Sequence, residues 1–242
     1  MRTCLFARQT GQKARLPPAG MIHTNSGAYY KLLVLLSNMQ NRVFAIGDIH
    51  GCFDQFKELV EQHIVLSKSD KLILLGDYID RGIKSKEVID YIIELQRSGY
   101  DVIPLTGNHE AMLLDALSDR SAVTLWFING GHKTMQSFGI SRLTELDPCY
   151  IDFFRNLRYY YESENFLFVH AGFNDTIEDP FSDRRSMLWD TRQEYRHPML
   201  KDKIIVHGHR TIPISSVIES IDDHARVINI DTGCVYTQYM DY

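Results

Sequence analysis

From residue 42 onwards, short apolar runs alternate with amphipathic segments in a regular order. The runs at 42–46, 71–75 and 102–105 have the length and composition of buried strands. Between them, residues 54–66 and 86–97 place apolar side chains at helical spacing. This strand–helix–strand–helix–strand order predicts a parallel sheet with helices packed against it.

The second half of the chain continues in a similar way. Residues 111–163 are predicted to be mainly helical and to form a cap or insertion. Three further apolar runs, at 166–169, 203–206 and 226–230, predict additional strands. No internal repeat is evident, so we expect one domain over residues 41–242.

The first 40 residues lack any sustained period and have three interpretations. The favoured one is a disordered or spurious extension, with the working protein starting near Met39. An organellar transit segment is the second, because such segments are basic and poor in acidic residues. A secretory signal built on Lys31 and the leucine-rich run at 32–36 ranks last, because no small-residue cleavage site follows that run.

Charge is unevenly distributed along the chain. Of the 26 basic residues, five lie in residues 1–40, which contain no acidic residue; the remainder carries 21 basic and all 31 acidic residues. An acidic body argues against nucleic acid as the main partner, because phosphate backbones are bound by clustered Lys and Arg. No apolar stretch approaches the roughly 20 residues needed to span a bilayer, so no membrane partner is expected.

Cysteine usage indicates a reducing compartment. Cys4, Cys52, Cys149 and Cys234 are scattered and include no CxxC pair. In a chain of this size that pattern is typical of reduced thiols, and it predicts a cytoplasmic protein.

Each predicted strand of the core leads into a polar string. Asp, His or Asn stands at the strand end in GDIHG (47–51), GDYIDRG (76–82), GNHE (107–110), VHAG (169–172) and HGH (207–209). Oxygen and imidazole nitrogen ligands delivered together from several strand ends are what a pair of small divalent cations requires. A single Asp after Gly can be a turn or a helix cap, but five strand ends with the same habit favour a metal site.

The expected ligands divide between two cations. Asp48 and His50, two apart on an extended stretch, can hold one cation together. Asp77 has two carboxylate oxygens and can bridge two cations about 3.5–4 Å apart. Asn108, His170 and His209 would complete the second cation. This mixed ligation suits Mn, Fe or Zn, and Mn is the preferred candidate.

Further residues in the same strings have the chemistry of acid catalysis and phosphate binding. A His oriented by a buried carboxylate is a proton donor, so His109 with Asp80 would protonate a leaving oxygen. The guanidinium of Arg81 can bind two phosphoryl oxygens, although a surface salt bridge is the alternative for it. Asn108 is assigned to phosphate binding as well as to the metal, and Glu110 is expected to support the loop or cap the following helix.

These strings resemble the calcineurin-like metallophosphoesterases, and within them the phosphoprotein phosphatase family and its bacterial-type serine/threonine phosphatases. The resemblance runs from about Arg42 to Gly233 and rests on GDIHG, GDYIDRG, GNHE and the two later histidine strings. It implies an α/β (mixed α+β) fold, a β-sandwich flanked by helices in four αββα layers. It also implies two metal ions, direct attack of a metal-bridging hydroxide on a phosphomonoester, and a phosphoprotein or small phosphorylated substrate.

Two other functions remain open at this point. Symmetrical dinucleoside tetraphosphate hydrolases resemble the chain as well, but they usually carry Ala where this chain has Asp80, and GNHD where it has Glu110. The spelling of the motifs therefore favours the phosphatase. A catalytically inactive metal-binding or regulatory protein is the remaining alternative.

The chain departs from the family pattern in two places. The family places a second phosphate-binding Arg two residues after a Trp, whereas here Arg192 follows Trp189 by three. Arg192 is the candidate for this role, with competition from Arg184, Arg185 and Arg196. The family also continues past the DTG string into closing strands, whereas this chain ends at Tyr242, and we expect a sheet edge or part of the core to be less covered.

Overall fold

A computed structural model of the 242-residue chain describes residues 20–23, 29–35 and 42–237. Its strands are β1 (Gly20–His23), β2 (Tyr29–Leu35), β3 (Val43–Ile46), β4 (Lys71–Leu74), β5 (Asp101–Pro104), β6 (Tyr160–Glu162), β7 (Phe166–Val169), β8 (Ile204–His207) and β9 (Val227–Asn229). Its α-helices are α1 (Phe53–Glu58), α2 (Ser85–Arg97), α3 (Asn108–Ser118), α4 (Val123–Trp126), α5 (His132–Phe138), α6 (Pro148–Arg155), α7 (Arg184–Trp189), α8 (Ile214–Asp222) and α9 (Cys234–Thr237).

The strands form two sheets. The first has the order β1-β2-β3-β4-β5, in which β3, β4 and β5 are parallel and β2 pairs antiparallel with β3. The second has the order β6-β7-β8-β9, in which β7, β8 and β9 are parallel and β6 is antiparallel. Each sheet therefore has a set of parallel strands whose carboxyl ends lie along one edge.

Alternation along the strands divides the core into layers. On β3, Ala45 belongs to the apolar cluster shared with the second sheet, whereas Phe44 and Ile46 pack with α1 and α2. On β7, Phe168 faces the first sheet and Leu167 packs on the other side, with α7. Because successive side chains point to opposite faces of a strand, each sheet packs against the other sheet on one face and against helices on the other. The layers are therefore helices, sheet, sheet and helix. The predicted four-layer αββα fold is confirmed.

The predicted core strands are all present, and their ends differ from the prediction by at most one residue. The helix predicted at 54–66 is an α-helix only to Glu58 and continues as π-helical turns over Leu59–Ile64. It stops at Val65, whose φ of 48° is left-handed. Residues 111–163 hold α3 to α6 but also the strand β6. The helices α7 and α8 had no counterpart in the sequence prediction.

Two strands of the first sheet, β1 and β2, lie in the N-terminal segment that was expected to be an extension. β2 pairs with β3 in the register Val34 to Phe44. The backbone groups of an edge strand offer a ready template for such pairing, which local polarity does not reveal. The other residues of 1–40 lie outside the described residues, where the expectation stays a prediction.

In the described part of the chain, no helix is long and apolar enough to cross a membrane. Cys52, Cys149 and Cys234 form no disulfide bond.

Candidate active site

The carboxyl ends of both sheets meet at one place. Asp48 follows β3 and His209 follows β8, and the N–H of His209 donates to Oδ1 of Asp48 at 3.0 Å. His170 follows β7, and its Nδ1 donates to the carbonyl oxygen of Leu75, at the end of β4, at 2.9 Å. These two bonds join the sheets directly beneath the predicted site residues.

The backbone at this junction is unusually strained. Left-handed φ angles occur at His50 (45°), Asp77 (52°), Asp80 (68°), Arg81 (64°) and His209 (71°). A non-glycine residue in this region costs about 1–3 kcal/mol and persists only where its surroundings hold it. Five such residues at the predicted site indicate that the surrounding fold holds this unfavourable backbone in place, and that it directs these side chains into the site at a cost in stability.

Two glycines allow carboxylates to lie directly against the backbone. A Cβ on Gly107 would stand 2.1 Å from Oδ1 of Asp77, and one on Gly208 would stand 2.4 Å from Oδ1 of Asp48. Neither distance leaves room for a methyl group. The glycines of GNHE and HGH are therefore required by the positions of Asp77 and Asp48.

Glu110 shapes the loop that carries Asp77. Its carboxylate is fully buried and accepts the backbone N–H groups of Asp77 (2.9 Å), Tyr78 (2.8 Å), Ile79 (3.3 Å) and Gly107 (2.9 Å). Burial raises the pKa of Glu110 to about 7, against the lowering effect of these donors. The prediction that Glu110 supports the loop and caps α3 is confirmed.

One group of metal-ligating atoms comprises His50, Asp77 and His109. His50 donates through Nδ1 to the carbonyl of Ile79 at 2.8 Å, which leaves a lone pair on Nε2. That Nε2 lies 3.4 Å from Oδ2 of Asp77 and 4.0 Å from Oδ2 of Asp48. The structure thus brings Asp48, His50 and Asp77 together as expected and adds His109 beside them.

A second group comprises Asp77, His170 and His209, with Asn108 among them. Nε2 of His170 lies 2.9 Å from Oδ1 of Asn108, 3.1 Å from Nδ1 of His209 and 3.6 Å from Oδ1 of Asp77. Because the His170 proton is engaged on Nδ1, its Nε2 and the Asn108 oxygen both present lone pairs to each other. Converging lone pairs of this kind fit a cation, and Asp77 belongs to both groups.

Burial opposes the charged forms of the acidic and imidazole groups in this cluster. It raises the pKa of Asp48 and Asp77 well above the usual range, with neighbouring carboxylates adding to the effect. Burial, with nearby positive charge, lowers the pKa of His50 and His170 well below the usual range. Bound divalent cations reverse this logic, since they favour ionised carboxylates and neutral imidazoles. The residues present therefore fit divalent cations, which the two groups would hold with Asp77 common to both.

Asp80 and His109 form a buried pair beside this cluster. Nδ1 of His109 donates to Oδ2 of Asp80 at 2.7 Å, and both side chains are fully buried. The indole N–H of Trp126 also donates to Oδ2 of Asp80, at 2.9 Å, and the Thr134 hydroxyl donates to Oδ1 at 2.6 Å. Burial raises the pKa of Asp80 to about 7, although these two bonds oppose the rise.

The guanidinium of Arg81 lies in the site and not in a surface salt bridge. Nη1 donates to Nε2 of His50 at 2.8 Å, and Nη2 donates to Nε2 of His109 at 3.0 Å. Within residues 42–237 no carboxylate lies within ion-pair distance of Arg81. No carboxylate among these residues competes for its planar fork, so an anion at the cluster can accept N–H groups that now face the two imidazoles.

Sequence reasoning missed three residues at the site. Trp126 and Thr134 hold the Asp80 carboxylate, and nothing in their own sequence signals that contact. Asp231 is buried next to Asp48, whose pKa its charge helps to raise. Asp231 follows a predicted strand, so the pattern of polar residues at the ends of strands was a signal that would have found it.

Arg192 lies outside the contacts that join the predicted site residues. It is half-buried, and its Nε has no hydrogen-bond partner among the described residues. Burial raises the pKa of Tyr195, and the nearby Arg192 charge opposes that rise; the Tyr195 hydroxyl accepts the N–H of Phe173, three residues after His170. Of its competitors, Arg184 covers the ring of Tyr159 and Arg196 pairs with Glu194. Its role as a second phosphate clamp stays a prediction.

The family model and the most similar proteins described below agree on the family of this chain. Residues 41–233 match the family described as calcineurin-like phosphoesterase. Over 207 residues the chain is 28% identical to serine/threonine-protein phosphatase 2 of Salmonella typhimurium, an alignment that covers 81% of this chain and 89% of that protein.

The chain has a higher sequence identity to a second class of enzyme, but over a shorter stretch of residues. The chain is 42% identical over 72 residues to a symmetrical bis(5'-nucleosyl)-tetraphosphatase of Nitrosococcus oceani, covering 30% of this chain and 25% of that protein. Among solved structures, a protein serine/threonine phosphatase from Saccharomyces cerevisiae has the same fold with a TM-score of 0.56. That likeness covers 79% of this chain and 67% of the other at 15% identity.

Proposed function

This chain belongs to the calcineurin-like phosphoesterase family and is a hydrolase of phosphate esters, and we propose that it is a serine/threonine protein phosphatase. Its substrates would be phosphoproteins or small phosphomonoesters. The divalent cations used by the family would be held by Asp48, His50, Asp77, Asn108, His170 and His209, with Mn as the preferred metal. We place the reaction in the cytoplasm, as the cysteine usage suggests.

The Asp80–His109 pair is the observation that carries this proposal. When bound, divalent cations supply the activated nucleophile and neutralise charge on the phosphoryl oxygens. In its protonated form His109 would carry a second proton, on Nε2, for the leaving oxygen, while Asp80 accepts the Nδ1 proton and fixes the imidazole with Nε2 facing the site. An alkoxide such as that of serine is a poor leaving group, so it needs this proton most.

Arg81 would orient the phosphate. It donates to His50 and His109 on either side of its fork, so a phosphoryl group held there has His109 as its neighbour. Asn108, whose side-chain oxygen lies between His170 and His209, would contribute to the same binding. Arg192 would supply a second clamp.

A symmetrical dinucleoside tetraphosphate hydrolase is the second candidate. The local 42% identity to the Nitrosococcus oceani tetraphosphatase favours it. Against it stand the longer alignment with the Salmonella phosphatase and the buried Asp80, with its indole and hydroxyl donors. A site organised this closely around Asp80 suits a reaction in which the leaving group needs a proton.

A substrate panel tests the proposal. The purified chain, loaded with Mn, is given a phosphoserine peptide, p-nitrophenyl phosphate and diadenosine tetraphosphate at matched concentrations. The proposal expects phosphate release from the peptide with the highest kcat/KM. Release of ADP from the dinucleotide at a much higher kcat/KM would favour the second candidate instead. Binding of Mn without turnover of any substrate would favour the inactive metal-binding protein.

A further inference from the structure

A pocket of about 390 Å³ lies beside Arg81, which is shared with the site described above. Its walls include Ile128 and Asn129 from the π-helical turns after α4, Lys133 from α5 and Tyr236 from α9. The Cζ of Arg81 lies 5.8 Å from the centre of the Tyr236 ring. A substrate whose phosphate is held by Arg81 therefore lies next to this pocket, which we name the Lys133 pocket.

The wall of the Lys133 pocket is fixed relative to the site. Gly130 has a φ of 106°, and a Cβ on it would stand 2.6 Å from the backbone nitrogen of Arg81. A Cβ on Gly131 would stand 2.4 Å from the ring of Trp126, which donates to Asp80. The segment 126–131 thus contacts Asp80 through Trp126 and lines the Lys133 pocket through Ile128, Asn129 and Gly130. Such close packing leaves little freedom between the two.

The charge of the pocket is positive in an acidic protein. Arg81 and Lys133 line it, and among residues 42–237 no Asp or Glu does. Lys133 is half-buried and forms no ion pair within residues 42–237. The whole chain carries 31 acidic and 26 basic residues, so this concentration of positive charge is local. An anionic group on the substrate is the complement of such a surface.

Apolar side chains extend the pocket outwards. Ile128 is 78% exposed and Tyr236 42% exposed, and Leu125 and Phe127 are exposed next to Ile128. Exposed apolar side chains beside a cation suit a polypeptide, which can present an apolar and an acidic side chain together. A chain of further phosphates would need several cations, whereas the described lining residues offer Lys133 alone once Arg81 is engaged by the first phosphate.

We propose that the Lys133 pocket binds an acidic residue next to the phosphorylated residue of a peptide substrate. Lys133 is the specificity-determining residue, and Ile128 and Tyr236 contact an apolar side chain of the same peptide. This inference rests on the proposed protein phosphatase function. It adds a preference for acidic phosphopeptides, which the metal cluster by itself does not produce.

The test compares phosphoserine peptides that differ only by Glu or Gln, placed in turn at the three positions on each side of the phosphoserine. The measured quantity is the ratio of kcat/KM for the Glu peptide to that for the Gln peptide, so a general loss of activity cancels. For one position at least, the ratio is expected to be about five in the wild-type chain, as for a single exposed ion pair. Lys133→Met should bring the ratio to about one, and Lys133→Glu should bring it below one.

Lys201→Glu is the matched control, because Lys201 is exposed, lies outside the pocket and produces the same change in net charge. It should keep the wild-type ratio. A wild-type ratio near one at every position, or an equal shift in the Lys201 variant, overturns the inference while the phosphatase function stands. No hydrolysis of any peptide, with diadenosine tetraphosphate cleaved, overturns the proposed function and the inference with it.

Discussion

Nδ1 of His109 lies 2.7 Å from Oδ2 of Asp80, and both side chains are sealed from solvent. This bond places the only proton of a neutral His109 on Nδ1 and leaves Nε2 facing Arg81. Loss of that orientation would disorder the proton donor without removing a predicted metal ligand. The pair therefore separates acid catalysis from metal binding, and each is testable alone.

The dependence on the leaving group tests the role of His109. His109→Asn should lower kcat/KM for phenyl phosphate by about 10²–10⁴-fold, the range for loss of a general acid. The loss for p-nitrophenyl phosphate should be much smaller, because p-nitrophenolate leaves without a proton. Steady-state kinetics on both esters measure the difference, and equal losses on the two would contradict the assignment.

Trp126 should act on the reaction through Asp80. Trp126→Phe keeps an aromatic ring in the core but removes the indole N–H, so we expect kcat to fall about tenfold and KM to change little. The free energy of unfolding should fall by about 1–2 kcal/mol, the cost of a lost buried hydrogen bond. Thr134→Val, which removes the other donor to Asp80, should have the same kinetic signature, and urea titration gives the stability.

The exposed neighbour Phe127 supplies the control for this pair of variants. Phe127→Leu changes a side chain that is 38% exposed and makes no hydrogen bond to Asp80. It should leave kcat near the wild-type value. A Trp126→Phe enzyme with wild-type kcat would show that its indole bond has no part in positioning Asp80.

Gly208 should be essential for metal affinity. In Gly208→Ala the new methyl group meets Oδ1 of Asp48 at 2.4 Å, so the carboxylate must move away from its place. We expect Mn affinity to fall about 10–100-fold, as for other disturbances of the groups that orient ligands. Calorimetric titration with Mn measures it directly.

Gly139→Ala is the corresponding control, since a Cβ there meets nothing within 4 Å. Its φ of 65° is left-handed, so Ala should cost about 1–2 kcal/mol of stability while Mn affinity stays unchanged. Equal effects of the two substitutions on Mn binding would rule out the steric explanation.

Asp70 should link stability to pH far from the site. Burial by itself raises its pKa, but the bonds from Arg42 and Ser67 outweigh burial and lower the pKa to about 2. The folded-state pKa is below that of the unfolded chain, so the stabilisation is present above about pH 4 and is lost as the pH falls towards 2. Asp70→Asn should cost about 2 kcal/mol at pH 7.

Urea titrations of the wild type and the Asp70 variant between pH 7 and pH 3 measure this gap, which should narrow below about pH 4. Asp101→Asn serves as the control, because Asp101 pairs with Lys71 at an exposed position and should cost less than about 1 kcal/mol. A gap that stays constant down to pH 3 would contradict the role of Asp70.

Local signals were sufficient for the strands and for the strand-end residues. Asp48, Asp77 and His170 each follow an apolar run, and the carboxyl ends of parallel strands must meet. Contacts between distant segments left no such signal. Trp126 and Thr134 reach Asp80 across 46 and 54 residues, and only the packing of the helices brings them there.

Secondary structure was hardest to predict where tertiary pairing outweighs local preference. β2 has a leucine-rich sequence from which no strand was predicted, and it pairs with β3 of the first sheet. The helix α7 is only six residues long, and its position depends on packing against β7. Arg192 lies three residues after the end of α7, so the residues around it depend on the same packing. Sequence spacing alone could not predict these contacts.

Asp77, the residue shared by both candidate metal groups, gives the most direct test of a metal-dependent phosphatase site. Elemental analysis and p-nitrophenyl phosphate hydrolysis are measured together for the wild-type chain and for Asp77→Asn, with circular dichroism to confirm folding. We expect two Mn ions per wild-type chain, activity that disappears on chelation, and a folded variant that has lost bound Mn and at least about 100-fold in kcat. A folded Asp77→Asn chain that keeps two ions and the wild-type kcat would contradict the central claim.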